Sequence, residues 1–293
     1  MEDIKSKQAF ILWGVGQSFI DTCELSAEYL LKYTSYDVVI YYGNGKTSSL
    51  TSPRLQKIDL STFDFYKENF IDGKPKFAFT PYITKLALEL YDEVAYIDSD
   101  IQVTPNIKDI FNEHSKITIY PLACRYPWYY TLDRGRDWIG DKVKQNIPYE
   151  RQLTPTLGIS CHIANKNCLS FIDEWVTLTK KLVTDNTQGV HEEAIFNALV
   201  WQKGGNKFIS TKLAWVPQPE AILEVIDIYN SPEGKPLHPD GTNPSYILTK
   251  NTWGGGMSCF PLDKNEFWGL HTIKEINKAK QAYLYIEEYF NKL

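Results

Sequence analysis

Tyr91-Asp92-Glu93-Val94-Ala95-Tyr96-Ile97-Asp98-Ser99-Asp100-Ile101 sets a short apolar run, Val94 to Ile97, between acidic residues and ends it on two aspartates one residue apart. An apolar run of this length without alternation suits a strand covered on both faces of a parallel sheet. Ligands of open α/β sheets bind beyond the carboxyl ends of such strands. In extended backbone, residues i and i+2 share a side, so the carboxylates of Asp98 and Asp100 are expected to converge on one ligand. Two close anions call for a cation. Hard oxygen donors favour Mn²⁺ or Mg²⁺, ions that complete their shells with water and substrate phosphates, so a diphosphate is the partner that follows. A second reading stays open here: Asp is common in turns, and a D-x-D triplet is short enough to cap a turn after the strand by chance.

Towards the N-terminus, Phe10-Ile11-Leu12-Trp13-Gly14-Val15-Gly16 reads as a buried strand running into a glycine turn. A helical pattern carrying Phe19, Ile20, Cys23, Leu25, Tyr29 and Leu30 follows, then a second strand, Val38 to Tyr42, ending in Gly43-Asn44-Gly45. Strand, helix, strand opens an α/β fold with a mainly parallel central sheet flanked by helices. Gly14 and Gly16 serve either a tight turn or a close approach of the backbone to the base or ribose of a nucleotide. Phe19 stands where a dinucleotide fingerprint wants its third glycine, which weakens a dehydrogenase reading. Leu55 to Leu60 reads as a short strand. Thr80 and Pro81 read as N-cap and first position of a helix whose Ile83, Leu86, Ala87 and Leu90 face the core. Lys85 lies off that stripe, on a helix leading into the Asp98 strand, where it either reaches a ligand or stays solvated.

The ordered series Thr84-Lys85-Leu86, Ile97-Asp98-Ser99-Asp100-Ile101, Asn106-Ile107 and Ile110-Phe111 resembles glycosyltransferase family 8, the group that includes glycogenin and bacterial lipopolysaccharide galactosyltransferases. The resemblance implies a GT-A fold, a Rossmann-like nucleotide-binding architecture, and a nucleotide-sugar donor. It implies one domain over residues 1–293, with residues 1–111 holding the nucleotide sugar and residues 112–293 the acceptor. By the same resemblance Asp98 contacts the donor's ribose and the metal, with Ser99 beside it in the donor site. Asp100 ligates the metal, and Lys85 holds the donor sugar or its phosphate. Gly158, in Thr154-Pro155-Thr156-Leu157-Gly158-Ile159-Ser160-Cys161-His162, falls where the family places a glycine-containing strand beside the donor sugar. His271 matches the family's C-terminal histidine, a third metal ligand. Lys274 matches its diphosphate lysine less closely, since the family's lysine lies farther beyond its histidine.

Gly189-Val190-His191-Glu192-Glu193-Ala194-Ile195-Phe196-Asn197 opens a helix with an inward stripe of Ala194, Ile195, Ala198 and Leu199. Glutamates in a first turn suit the helix dipole. The position also resembles the place where family 8 carries an Asp-Gln pair next to the sugar and acceptor. In an inverting enzyme Glu192 or Glu193 is then the general base towards the acceptor hydroxyl, and in a retaining enzyme it positions sugar or acceptor. His162 reads as a strand residue rather than a catalyst. The aromatic and basic stretch over residues 120–152 is either a sugar-binding surface or a packed excursion. Residues 217–261, rich in Pro and Gly, read as a loop over the site or a connector. A last helix carries Ile273, Ile276, Tyr283, Ile286 and Phe290 in an amphipathic pattern.

With 293 residues, 43% hydrophobic, and a formal charge of −5 without a basic run, the sequence argues against nucleic acid as the main partner. Five scattered cysteines with no C-x-x-C pair fit reduced thiols. No apolar run is long enough for a transmembrane segment and no signal-peptide pattern is evident, so a cytoplasmic location is expected. Two other functions share parts of this pattern. A sugar-phosphate nucleotidyltransferase joins nucleotide, sugar and Mg²⁺ on an α/β sheet, but its Gly-rich loop with Arg and Lys is absent after Phe10 to Gly16. A non-catalytic carbohydrate-binding protein has no need of the D-x-D.

Overall fold

The computed structural model describes residues 7–71, 74–75, 79–99, 101–111, 120–121, 125–126, 141–148, 156–157, 159, 161–183, 192–203, 246–251, 256–261, 269–271 and 276–291. Its centre is a sheet built from β1 (Gln8–Val15), β2 (Asp37–Gly43), β3 (Leu55–Asp59), β4 (Glu93–Ile97), β6 (Tyr120–Pro121) and β7 (Cys161–Asn165), with β5 (Ile101–Val103) following β4 outside it. The order is β3-β2-β1-β4-β7-β6. β3, β2, β1 and β4 run parallel, and β7 joins β4 antiparallel. This is the mainly parallel α/β sheet that the apolar runs predict.

Both faces are covered, which is why β1, β2 and β4 carry uninterrupted apolar runs after their polar first residues. On one face Phe10, Leu12, Val38, Ile40, Ala95 and Ile97 pack with α1 (Gln17–Tyr33) and α5 (Ile276–Asn291). On the other, Ala9, Ile11, Val39, Val94 and Tyr96 pack with α2 (Phe79–Leu90), α3 (Leu169–Leu182) and α4 (Glu192–Gln202). Period-2 alternation therefore puts Trp13 and Tyr96 on the α2–α4 face. The chain leaves β1 towards β2 and β3 and returns on β1's other side as β4. The crevice between the carboxyl ends of β1 and β4 is thus the topological switch point at which α/β sheets bind ligands.

The two glycines after β1 are explained by packing. A Cβ on Gly14 would stand 2.8 Å from the carbonyl carbon and oxygen of Phe19, so this glycine lets α1 approach the strand. Gly16 has φ 94, and its N–H donates to the Gly43 carbonyl at 2.9 Å, closing the turn against β2. Gly14→Ala is expected to lower unfolding free energy by about 1–3 kcal/mol, because backbone rather than a flexible side chain must give way. Urea denaturation of the variant checks this.

Three sequence expectations are corrected. The second helix begins at Phe79, one residue before Thr80, so Thr80 is a helical residue and not the N-cap. Its inward stripe is Thr80, Ile83, Thr84, Ala87 and Leu88, while Leu90 is 49% exposed and Leu86 only half-buried. Part of the expected loop over residues 217–261 is an antiparallel hairpin of Tyr246–Asn251 with Gly256–Pro261. None of the described helices is long and apolar enough to cross a membrane.

Candidate active site

At the switch point, Thr80 on α2 is a junction of three elements. Its Oγ1 accepts from Trp13 Nε1 at 3.2 Å and donates to Glu192 Oε1 at 3.4 Å. The Tyr96 hydroxyl donates to Asp98 Oδ1 at 3.2 Å, and the Ser99 N–H donates to the same oxygen at 3.0 Å. The Ile101 N–H donates to the Asp98 carbonyl at 3.0 Å. Asp98 and Ser99 therefore open a turn at the strand end, and the expected convergence with Asp100 lies outside the described residues. What aims Asp98 into the crevice is the pair of donors on its Oδ1.

Opposite Asp98, α4 begins with Glu192 and Glu193. Trp175 of α3 donates its Nε1–H to the Glu192 carbonyl at 2.8 Å, and Asn197 Nδ2 donates to the Glu193 carbonyl at 2.9 Å, which anchors this helix start. Glu192 is 5% exposed, and its Oε2 has no hydrogen-bond partner among the described residues. Glu193 is half-buried and accepts from the Ile159 N–H through Oε2 at 3.4 Å. Burial pushes the Glu192 carboxyl up to about 8, with Glu193 and Asp98 adding repulsion. Burial, with the Asp98 charge, pushes Glu193 up to about 7. Burial, again with Asp98, holds the Tyr96 phenol well above its ordinary value. The charges of Asp98 and Glu193 thus add to burial in raising the proton affinity of Glu192, and that of Asp98 does the same for Glu193.

Beneath them, His162 of β7 is fully buried. Its Nδ1 is 3.2 Å from the Ile159 carbonyl oxygen and its Nε2 is 3.1 Å from Thr84 Oγ1. Burial lowers its pKa to about 4, so the ring is neutral at ordinary pH.

The structure brings Asp98, Ser99, Glu192 and Glu193 together. Gly14 and Gly16 line the turn beside them, in roles that packing accounts for. Lys85, expected towards the donor, instead pairs with Asp173 of α3 at 2.5 Å, because the helix turns its Thr80–Thr84 face to the sheet. β8 (Gly269–His271) pairs antiparallel with β5, setting His271 opposite Ile101, one residue past Asp100. Asp100, Gly158 and Lys274 lie outside the described residues. Trp13, Thr80 and Tyr96 were not singled out from sequence as site residues, although Tyr96 precedes Asp98 by the same i, i+2 spacing used for the aspartates.

Among the described residues no three His, Cys, Asp or Glu side chains are grouped to hold a metal ion. The chemistry of the donor set nevertheless fits a hard divalent cation. Asp98 stands at a strand end facing two glutamates whose raised proton affinity is relieved by positive charge. The β5–β8 register adds His271 to the strand beside Asp100.

No family model and no curated protein sequence matches the chain. Among solved structures it is similar to WbbM, a bifunctional glycosyltransferase, at 13% identity and TM-score 0.46, over 72% of this chain and 39% of that one. It is similar to the galactosyltransferase LgtC in complex with donor and acceptor sugar analogs, at 14% identity and TM-score 0.46, over 97% of this chain and 100% of that one. A third is mouse xyloside xylosyltransferase 1, at 9% identity and TM-score 0.43, over 69% of this chain and 84% of that one.

Proposed function

We propose that this chain is a metal-dependent glycosyltransferase with a GT-A fold, moving a sugar from a nucleotide-sugar donor, in the first instance a UDP-sugar, to a hydroxyl of a glycan or other acceptor. The observation that carries this reading is the meeting of Asp98 with Glu192 and Glu193 at the switch point of a mainly parallel sheet. Residues 1–111 then supply most of the donor site and residues 112–293 the acceptor side.

Asp98, Asp100 and His271 are the residues that would hold Mn²⁺ or Mg²⁺. When bound there, such an ion would supply positive charge to the diphosphate leaving group of the donor. Asp98 also faces the donor's ribose, kept in orientation by Tyr96 and Ser99. Glu192 keeps Oε1 on Thr80, and its Oε2, buried and without a partner among the described residues, is the atom that would meet a sugar hydroxyl. Glu193, with the lower pKa of the two, is the better proton acceptor near neutrality. In an inverting course it takes the proton of the acceptor hydroxyl, and in a retaining course it orients sugar or acceptor.

The test is a screen of nucleotide sugars with Mn²⁺ by thermal shift and donor hydrolysis. Bound at a hundredfold excess over Kd, the right donor raises Tm by about 5 °C, and EDTA removes the shift. Absence of binding and hydrolysis for every nucleotide sugar, with and without acceptor, overturns the proposal.

A further inference from the structure

We infer that His162 is a positioning residue for Glu193, acting through the peptide of Ile159. The inference rests on the glycosyltransferase reading for its consequence in turnover, and on geometry alone for the positioning itself. Ile159 is held at both ends. Its N–H donates to Glu193 Oε2 at 3.4 Å, and its carbonyl oxygen lies 3.2 Å from His162 Nδ1.

Proton accounting fixes the direction of each bond. A carbonyl oxygen only accepts, so Nδ1 must carry the hydrogen. A neutral imidazole has one N–H, so Nε2 is an acceptor, and the Thr84 hydroxyl at 3.1 Å is its donor. The other tautomer would set the Nδ1 lone pair against the Ile159 oxygen. The Thr84 hydroxyl also donates to the Thr80 carbonyl at 2.8 Å, so with the Nδ1–H tautomer its proton is shared between that carbonyl and Nε2 in a three-centre bond.

The ring cannot turn to escape this assignment. His162 is fully buried, with Tyr96, Trp175 and Phe196 rings at centroid distances of 5.0, 5.8 and 6.3 Å. β7 itself is fixed by its pairing with β4, where His162 faces Tyr96. The line Thr84 hydroxyl, His162 imidazole, Ile159 peptide, Glu193 carboxylate therefore runs from α2 through β7 to the start of α4, and it sets where the Glu193 oxygen stands. Asp98 and Glu192 have their own anchors in Tyr96 and Thr80, and neither depends on this line.

Three variants of the full chain decide the matter: His162→Asn, whose amide keeps a donor near the place of Nδ1; His162→Leu, which removes it; and Thr84→Val, which removes the donor to Nε2. Hydrogen exchange of the Ile159 amide is read alongside turnover. The expected result for His162→Leu is exchange faster by about tenfold, the worth of one hydrogen bond, and kcat down by about tenfold to a hundredfold with donor KM unchanged. His162→Asn restores both readings to near wild type, and Thr84→Val falls between. If His162→Leu does not fold, Thr84→Val carries the same test. Equal behaviour of the Asn and Leu variants, or Ile159 exchange unchanged in Thr84→Val and His162→Leu, overturns the inference. A wild-type chain that turns over no nucleotide sugar sinks the function proposed above, while Ile159 exchange still decides whether His162 holds that peptide.

Discussion

Asp98→Asn is expected to lower turnover of the nucleotide-sugar donor on the order of a hundredfold to a thousandfold, the scale seen when one electrostatic contact to developing charge is removed, while the fold persists. The persistence follows from the contacts. Asparagine keeps an Oδ1 that accepts from the Tyr96 hydroxyl and the Ser99 N–H, so the turn closed by the Ile101 N–H is retained. What disappears is the negative charge. That charge is the proposed handle for the cation, and it also raises the proton affinity of Glu192 and Glu193. The variant is therefore expected to lose the Mn²⁺-dependent thermal shift with donor, while urea unfolding in EDTA stays close to wild type. Asp100→Asn carries the same expectation for donor binding. Turnover unchanged in both variants would remove the D-x-D from the chemistry.

The sheet was legible because burial on both faces leaves uninterrupted apolar runs, and Phe10 to Val15, Val38 to Tyr42 and Val94 to Ile97 each fell within a strand. The helix opening at Glu192 was equally legible, since its apolar stripe is interrupted by no Gly or Pro. Other features were misread for one physical reason: polar groups went inside. Hydropathy assigned Leu86 and Leu90 to the core side of α2; Leu86 does pack against the core, but Leu90 is exposed, and Thr80 and Thr84 are buried because their hydroxyls complete bonds to Glu192 and His162 that burial would otherwise leave unmade. That orientation carries Lys85 to Asp173. The turn that the Ile101 N–H closes at Asp98 is likewise not visible in the apolar run before it. The acids of the site could be found by residue type and position. Their partners could not, because Trp13, Tyr96 and His162 look like ordinary strand residues until the elements are packed.

Glu193→Gln is expected to lower kcat by about a hundredfold to ten-thousandfold, the range for loss of a general base, with donor binding retained. The pH profile separates the two possible duties of this residue. A carboxylate at about 7 becomes ionised as pH rises, so if Glu193 takes the acceptor proton, wild-type kcat climbs through about 7, and that limb vanishes in the variant. If it only orients the sugar, the loss in kcat remains without a change of limb. Stability changes in the opposite sense. Both glutamates have folded pKa values above their unfolded ones, so the folded state keeps protons that the unfolded chain has released. Stability is fullest below the ordinary Glu range near about 4.3 and falls as pH rises, levelling beyond about 7 for Glu193 and about 8 for Glu192. His162 contributes with the other sign: its depressed folded value of about 4 makes stability rise between there and its unfolded value of 6.5, a window closed by neutral pH. Between pH 7 and 8.5 the decline comes from the glutamates, with the buried Cys168 thiol, pushed up to about 12, adding a part common to all variants at the upper end. Urea midpoints measured at these two pH values in EDTA should fall with pH in wild type, less in Glu193→Gln, and least in the double variant with Glu192→Gln. A decline of equal size in all three proteins would show that the carboxylates facing Asp98 ionise as ordinary surface groups, and it would remove the electrostatic competition on which the proposed cation site depends.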